Sequence, residues 1–263
     1  MTSNYKFIDE GKQHLHMLDE KPLLGTSTVC NVLAKPLTWW ASGMAVSVFG
    51  WLNPKNNPVE ALKSRASEVL EQIKGLDVEG YLELLKKAYG AHNEKKEISA
   101  EEGIDMHSLL EKYVRDCIDT NNGSPLAHDP NENEKVGVFI DWSLENVEKF
   151  ILCEAHVYSE RMWTGGIFDV LYQDKKGKWI LGDFKSSKEA YLSHFIQIAG
   201  YDLQFTEHGA LDNDGNSLRG AEKIDGYVVF PFGAKKFEPS FRYNTEELRK
   251  GFESALCLYK LTN

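Results

Sequence analysis

Two runs of β-forming residues, 166–172 and 178–184, flank Asp174-Lys175-Lys176-Gly177, and no other feature limits the possible folds of this chain as much. A polar, glycine-ended turn between two strand-length runs predicts a hairpin of adjacent strands. Ser186 and Glu189 have the spacing of a capping box. A helix is therefore expected to start directly after Lys185 and to carry Tyr191, Leu192, Phe195, Ile196, Ala199 and Leu203. Residues 224–232 form a further β-rich run, a short strand follows around 237–243, and Asn244 stands where it can cap a last helix reaching Leu261. Strands set between helices predict an α/β core, a mixed central sheet flanked by helices.

Upstream the pattern differs. His14-Leu15-His16-Met17-Leu18 reads as a strand, Asp19-Glu20-Lys21-Pro22 as a turn, and Thr26-Ser27-Thr28-Val29 as either a second strand or a helix start. Pro36 precedes an apolar segment, 37–52, which is expected to be helical and to end at Asn53-Pro54. Val59, Leu62, Ala66, Val69, Leu70 and Ile73 have helical spacing, and Asp77 can cap another helix carrying Tyr81, Leu84, Leu85 and Ala88. A third helix is expected from about 105 to 118, and 121–134 reads as a loop from its Asn, Asp, Gly and Pro. The expected division is an N-terminal hairpin and helical region, 1–102, followed by the core, 103–263.

With 42% hydrophobic residues in 263, the chain can bury a sizeable core. Its apolar run 41–52 is too short to cross a bilayer, and the N-terminus lacks a basic start followed by an apolar block. Cys30, Cys117, Cys153 and Cys257 stand apart with no CxxC pair, as in a protein kept reduced. A soluble cytoplasmic protein without a membrane partner is expected. The net charge of −10 disfavours tight coating of nucleic acid. Acidic residues crowd 60–102 and 129–148, whereas Lys175, Lys176, Lys178, Lys185 and Lys188, with Lys235 and Lys236, are candidates for one basic groove. No GxxxxGK[ST] run is present, so no ATP-driven motor is expected here.

The candidate chemistry begins at Asp169, followed after thirteen residues by Asp183-Phe184-Lys185. In a hairpin Asp169 and Asp183 can approach and share a divalent cation, and hard oxygen ligands suit Mg²⁺ or Mn²⁺ rather than zinc. Lys185, two residues on, projects from the same strand face as Asp183 and can position a water or offset phosphate charge. His107 and Glu111 lie one helical turn apart, and His107 is either an added metal ligand or a satisfied helix histidine. Gln197 and Tyr201 are four apart and can together hold a phosphate or a metal ligand, while His194 and Gln204 either extend that polar face or form a polar stripe facing water. Glu154, amid apolar residues, lies either beside the cation or in solvent. Trp39, Trp40, Trp51 and Trp163 are either base-stacking platforms or, for at least two of them, core or interface residues.

Taken in order, His107-x-x-Leu110-Glu111, Gly166-x-x-Asp169, Asp183-Phe184-Lys185 and Gln197-x-x-x-Tyr201 resemble the RecB-like branch of the PD-(D/E)XK nucleases. Gly25-Thr26-Ser27-Thr28-Val29 and the stretch through Trp39-Trp40-Ala41 look like phage-encoded members. The resemblance covers roughly 103–205 and implies a restriction-endonuclease-like core. It further implies that His107, Asp169, Asp183 and the Phe184 carbonyl bind Mg²⁺ or Mn²⁺. Lys185 would then orient or activate the attacking water, and Gln197 and Tyr201 would support the scissile strand. Glu154 is a further catalytic candidate, and Ser186 and Lys188 join Gln197 and Tyr201 as candidates for DNA contact. A single C-terminal cysteine, Cys257, departs from relatives that hold an iron–sulfur cluster, so none is expected. The implied function is a metal-dependent DNA exonuclease in phage or bacterial recombination, repair or processing. It would act in the (host) cytoplasm, with DNA, a single-strand annealing or recombination protein, or further copies of itself as partners. A structure-selective or nicking endonuclease, or a silent DNA-binding accessory module, are the alternatives.

Overall fold

The computed structural model describes residues 4–10, 13–33, 38–127 and 133–263, with 10, 13 and 94–105 as backbone only. Expectations falling on 34–37, including Pro36, and on 128–132 of the expected loop lie outside the described residues. Two compact units form, one from Met1–Ala34 with Gly103–Asn263, the other from Lys35–Glu102.

Strands β1 (Tyr5–Glu10), β2 (Gln13–Leu18) and β3 (Lys21–Pro22) make a small antiparallel sheet. After β4 (Leu24–Gly25), residues 26–29 resolve as helix α1 (Thr26–Cys30) rather than a strand. This N-terminal part belongs to the same compact unit as the core. The reason is apolar: Tyr5, Leu18 and Leu23 bury against Tyr158 and Leu211, since three short strands cannot cover their own apolar face.

In the smaller unit, α2 (Thr38–Ser47) stops before the expected end at residue 52. Gly50 turns the chain at φ 86° and lies against Ala66 and Val69 of α3 (Val59–Lys74). The next two expected helices are one continuous helix, α4 (Val78–Thr120), with the Asp77 carboxylate accepting from the Gly80 amide at 2.8 Å at its start. No proline interrupts 78–120, and isolated glycines cost only about 1 kcal/mol each in a helix, too little to break it. Its last turns bury Leu110, Val114 and Cys117 in the larger unit.

The larger unit continues with α5 (Glu134–Asn146), which the sequence pattern did not disclose, capped by the Asn133 side chain on the Lys135 amide. Then come β5 (Val147–Ser159), β6 (Thr164–Asp174), β7 (Trp179–Lys185), α6 (Leu192–His208), β8 (Ala210–Leu211), β9 (Ser217–Arg219), β10 (Gly226–Pro231), β11 (Ser240–Arg242) and α7 (Thr245–Thr262). The main sheet runs β11-β10-β7-β6-β5-β8-β9, with β4 added alongside β6. The β10–β7 and β4–β6 pairs are parallel and the others antiparallel, so the protein is α/β with a mixed sheet flanked by helices. One face packs on α4 and α5 around Phe139, Phe150, Phe184 and Phe230, the other on α1, α6 and α7 around Phe168, Leu181, Phe195 and Phe252. Among the described residues no helix is long and apolar enough to cross a membrane.

Helix α6 begins six residues later than the Ser186/Glu189 spacing suggested. The Phe232 amide donates to the Lys185 carbonyl at 2.8 Å, and the Gly233 amide to the Ser187 carbonyl at 3.0 Å. These bonds hold 185–187 beside the end of β10 and outvote a local capping signal, because carbonyls engaged there are unavailable to a helix. The lysines also separate. Lys175, Lys176 and Lys178 lie at the turn end of the β6–β7 hairpin, whereas Lys185 and Lys188 lie at the other end of β7, so they do not line one groove. Lys188 instead borders a cleft of about 350 Å³ with Lys236, Glu189 and Glu238, a surface of mixed sign.

Candidate active site

The site forms where β6 and β7 part. Their pairing runs to Val170 opposite Gly182, which leaves Asp169 and Asp183 as the next residues on the two strands. On β5, Cys153 opposes Val170 and Ala155 opposes Phe168, so Glu154 and Asp169 lie between these pairs. Both strands change face there. Cys153 and Val170 pack on the α4 side of the sheet, whereas Ala155 and Phe168, two residues away, pack on the α6 side. A regular strand keeps residues two apart on one face. Glu154 breaks the alternation with a left-handed backbone at φ 49°, a conformation that costs of order 1–3 kcal/mol for a non-glycine residue.

His107, on α4, faces this point. Its Nε2 is 3.1 Å from Asp169 Oδ2 and its Nδ1 is 3.6 Å from Glu154 Oε1. The Phe184 ring meets the imidazole edge-on with centroids 5.7 Å apart, and the Phe184 amide donates to Asp169 Oδ2 at 2.5 Å. Lys185 Nζ lies 2.7 and 2.9 Å from the two Asp183 oxygens. Glu111, one turn beyond His107, completes a set in which His107, Glu111 and Glu154 each offer a ligand atom within 4.8 Å of the others. Glu111 is the residue least visible beforehand, since it read as a neighbour of His107 and not as a member of the site. It also accepts from Arg115 Nε at 2.8 Å.

The electrostatics are those of crowded carboxylates. Burial, with Asp169 beside it, pushes Glu154 up to about 8, and its Oε1 makes no hydrogen bond. Burial likewise raises Asp183, against the pull of Lys185. Burial works against a charged His107, but its hydrogen bond to Asp169 and the surrounding carboxylates outweigh that and hold it near 9. Lys185 stays protonated for the same reason, its desolvation being outweighed by Asp183 and Asp169. Such shifts gather where groups of one sign are held together against their own repulsion. A cation here would offset that repulsion, satisfy Glu154 Oε1 and displace the His107 proton, so the donor set of carboxylates and one imidazole fits Mg²⁺ or Mn²⁺.

On the opposite face, the buried Tyr201 hydroxyl accepts from Gln197 Nε2 at 2.7 Å. Asp183 acts on the Tyr201 hydroxyl and Lys185 on His194, which places both α6 residues beside the site. Gln204 is not on a solvent stripe. It is fully buried and donates to Thr26 Oγ1 and Thr164 Oγ1 at 2.7 and 2.8 Å. Thr26 in turn donates to the Gly165 carbonyl at 3.0 Å. This gives the Gly25–Val29 segment a physical role: α1 is fastened under β6, with Cys30 near Lys185. Ser186 and Lys188 are exposed on the bend after β7. None of Trp39, Trp40, Trp51 and Trp163 is fully buried.

Gly166 makes the Tyr201 contact possible. A Cβ there would lie 2.4 Å from Tyr201 Cε1 and 3.0 Å from Thr26 Oγ1. Gly166→Ala is expected to cost about 1–3 kcal/mol through overpacking. Urea unfolding followed by circular dichroism measures it, and an unchanged midpoint would show that Tyr201 is not held tightly.

The sequence matches no protein-family model and no curated protein.

Proposed function

We propose that the protein is a metal-dependent DNA nuclease with a restriction-endonuclease-like core of the PD-(D/E)XK superfamily, in its RecB-like branch. One observation carries the reading: Asp169, Asp183, Glu154, His107 and Lys185, contributed by three strands and a helix, gather where β6 and β7 part. Crowding of this kind works against folding and is retained where chemistry requires it.

Asp169, Asp183 and the Phe184 carbonyl, with His107, would hold the cation, and Glu154 and Glu111 offer further oxygens at its margin. A bound Mg²⁺ or Mn²⁺ supplies Lewis acidity and lowers the pKa of a coordinated water. The chain's own groups do the rest. The Phe184 amide fixes the rotamer of Asp169. The Lys185 ammonium presents positive charge where a phosphate oxygen gains negative charge. Gln197 and Tyr201 can offer an amide and a hydroxyl to the phosphate of the bound strand. Ser186 and Lys188 extend the contact along the backbone. Action at DNA ends follows from the resemblance to end-processing exonucleases.

The test is incubation of the purified protein with end-labelled linear duplex, linear single strands and covalently closed circles, with Mn²⁺, Mg²⁺ or a chelator. Nucleotide release from a linear substrate is expected only with metal, and the circles should survive. Cutting of circles as fast as linear DNA would replace the end-processing reading with an endonuclease, and no cleavage under any condition would remove the proposal.

A further inference from the structure

The smaller unit carries a surface that the nuclease reading does not use. Along α4, Val78, Leu82, Leu85 and Tyr89 are 72, 50, 40 and 85% exposed. Their spacing of four, three and four residues is that of a coiled-coil seam, and it places all four on one narrow stripe. Beside this stripe, on the next part of the same helix surface, lie the half-buried Leu84 and the buried Ala88, which belong to the interior of the unit. The apolar surface of the segment is therefore wider than the part its own unit buries, and the stripe stays exposed. A solvated helix face of a monomer is ordinarily polar.

We propose that this stripe is a homodimer contact, in which α4 of one copy packs antiparallel against α4 of a second copy about a twofold axis. The pattern is self-complementary, as such an interface must be. With antiparallel helices, Leu82 of each copy meets Leu85 of the other, and Val78 meets Tyr89, small against large, which keeps the helices at even spacing. The same register brings Glu79 of each copy within one turn of Lys86 of the other, because both occupy the flanking position of the heptad. Two attractive pairs are thus generated by one symmetry operation. A parallel arrangement would put Glu79 and Lys86 of the two copies on opposite flanks of the seam, where they do not meet. In the single chain Lys86 reaches Glu83 at 2.6 Å, an exposed pair that a partner carboxylate can replace at little cost. The stripe spans only three turns, so the contact falls below the roughly 1,200 Å² of a standard stable interface, and a reversible, concentration-dependent dimer is expected.

Sedimentation equilibrium of the full chain over a wide concentration range reads this out. The wild type is expected to dimerise with a micromolar dissociation constant. Leu85→Glu, at an exposed position, is expected to weaken association by about tenfold or more. Glu79→Lys alone and Lys86→Glu alone are each expected to weaken it by about three- to tenfold, from repulsion in the flanking pairs. The double variant Glu79→Lys with Lys86→Glu restores the attraction and should regain the wild-type constant. That rescue distinguishes a symmetric α4–α4 contact from any other occupant of the stripe. A chain that stays monomeric at all concentrations overturns the proposal, as does a dimer indifferent to Leu85→Glu or a double variant no tighter than the singles.

Discussion

Asp183→Asn is expected to abolish metal-dependent cleavage while leaving the metal-free protein at least as stable as the wild type. The two effects share a cause. Asp183 is buried and is pushed toward its neutral form by desolvation and by Asp169, so its ionised form is carried by the fold at a cost. The sign follows from linkage: an acid whose folded pKa is raised destabilises the fold at pH values above its unfolded pKa. A neutral amide of the same shape removes that cost. It also removes one anionic ligand, and the melting temperature of the variant should no longer rise on adding Mn²⁺, as that of the wild type should. Lys185→Ala tests the other half of the pair. Loss of one positioned donor facing developing charge costs about 10²–10³ in rate. Single-turnover cleavage at saturating Mn²⁺ measures both variants, with thermal unfolding run alongside. Undiminished cleavage by either variant would take the reaction away from this site, and a variant that lost cleavage only because it unfolded would show it in the melt.

Much of this site can be read from one-dimensional pattern because its parts are local. A turn such as Asp174–Gly177 announces the hairpin, and strand alternation then carries Asp183 and Lys185 to one face. The Asp174 carboxylate accepts the amides of Lys176 and Lys178, both at 2.8 Å, so the turn is stabilised by the residues that signal it. What could not be read is set by distant partners. Helix α6 starts late because β10 captures the carbonyls of Lys185 and Ser187. The polar stripe expected at Gln204 is buried because Thr26 and Thr164 arrive from elsewhere to accept both bonds from its amide nitrogen. The left-handed turn of backbone at Glu154, which brings Cys153 and Glu154 to the same side, is a conformation that no side-chain periodicity encodes. Helix α5 was masked for another reason. Its buried residues Val136, Phe139, Ile140 and Ser143 have helical spacing, but the segment follows directly on a loop-like run rich in Asn, Asp, Gly and Pro and is crowded with acids, which obscures the apolar period.

The largest expected loss of stability lies away from the chemistry, at Arg249. Asp202 of α6 is fully buried and accepts two bonds from the Arg249 guanidinium, at 2.8 and 2.9 Å, as well as one from the Tyr227 hydroxyl. One carboxylate thereby ties α6 to α7 and to β10, the strand that parallels β7 at the site. A pair so buried contributes little net stability relative to apolar residues of the same shape, but removal of one partner strands the other. Arg249→Ala leaves a carboxylate in the interior with only the neutral hydroxyls of Tyr227 and Thr206 as donors, which should cost about 3–5 kcal/mol, less some relief from water, since the Arg249 side chain is partly exposed. Asp202→Asn with Arg249→Met removes both charges and should recover most of that loss, because no ion is then left unpaired. Urea titrations of the three proteins give the comparison directly. If Arg249→Ala costs less than about 1 kcal/mol, the pair behaves as a solvated surface bridge, and α6 must then be held in place by its apolar core contacts and by the Gln204 bonds to Thr26 and Thr164.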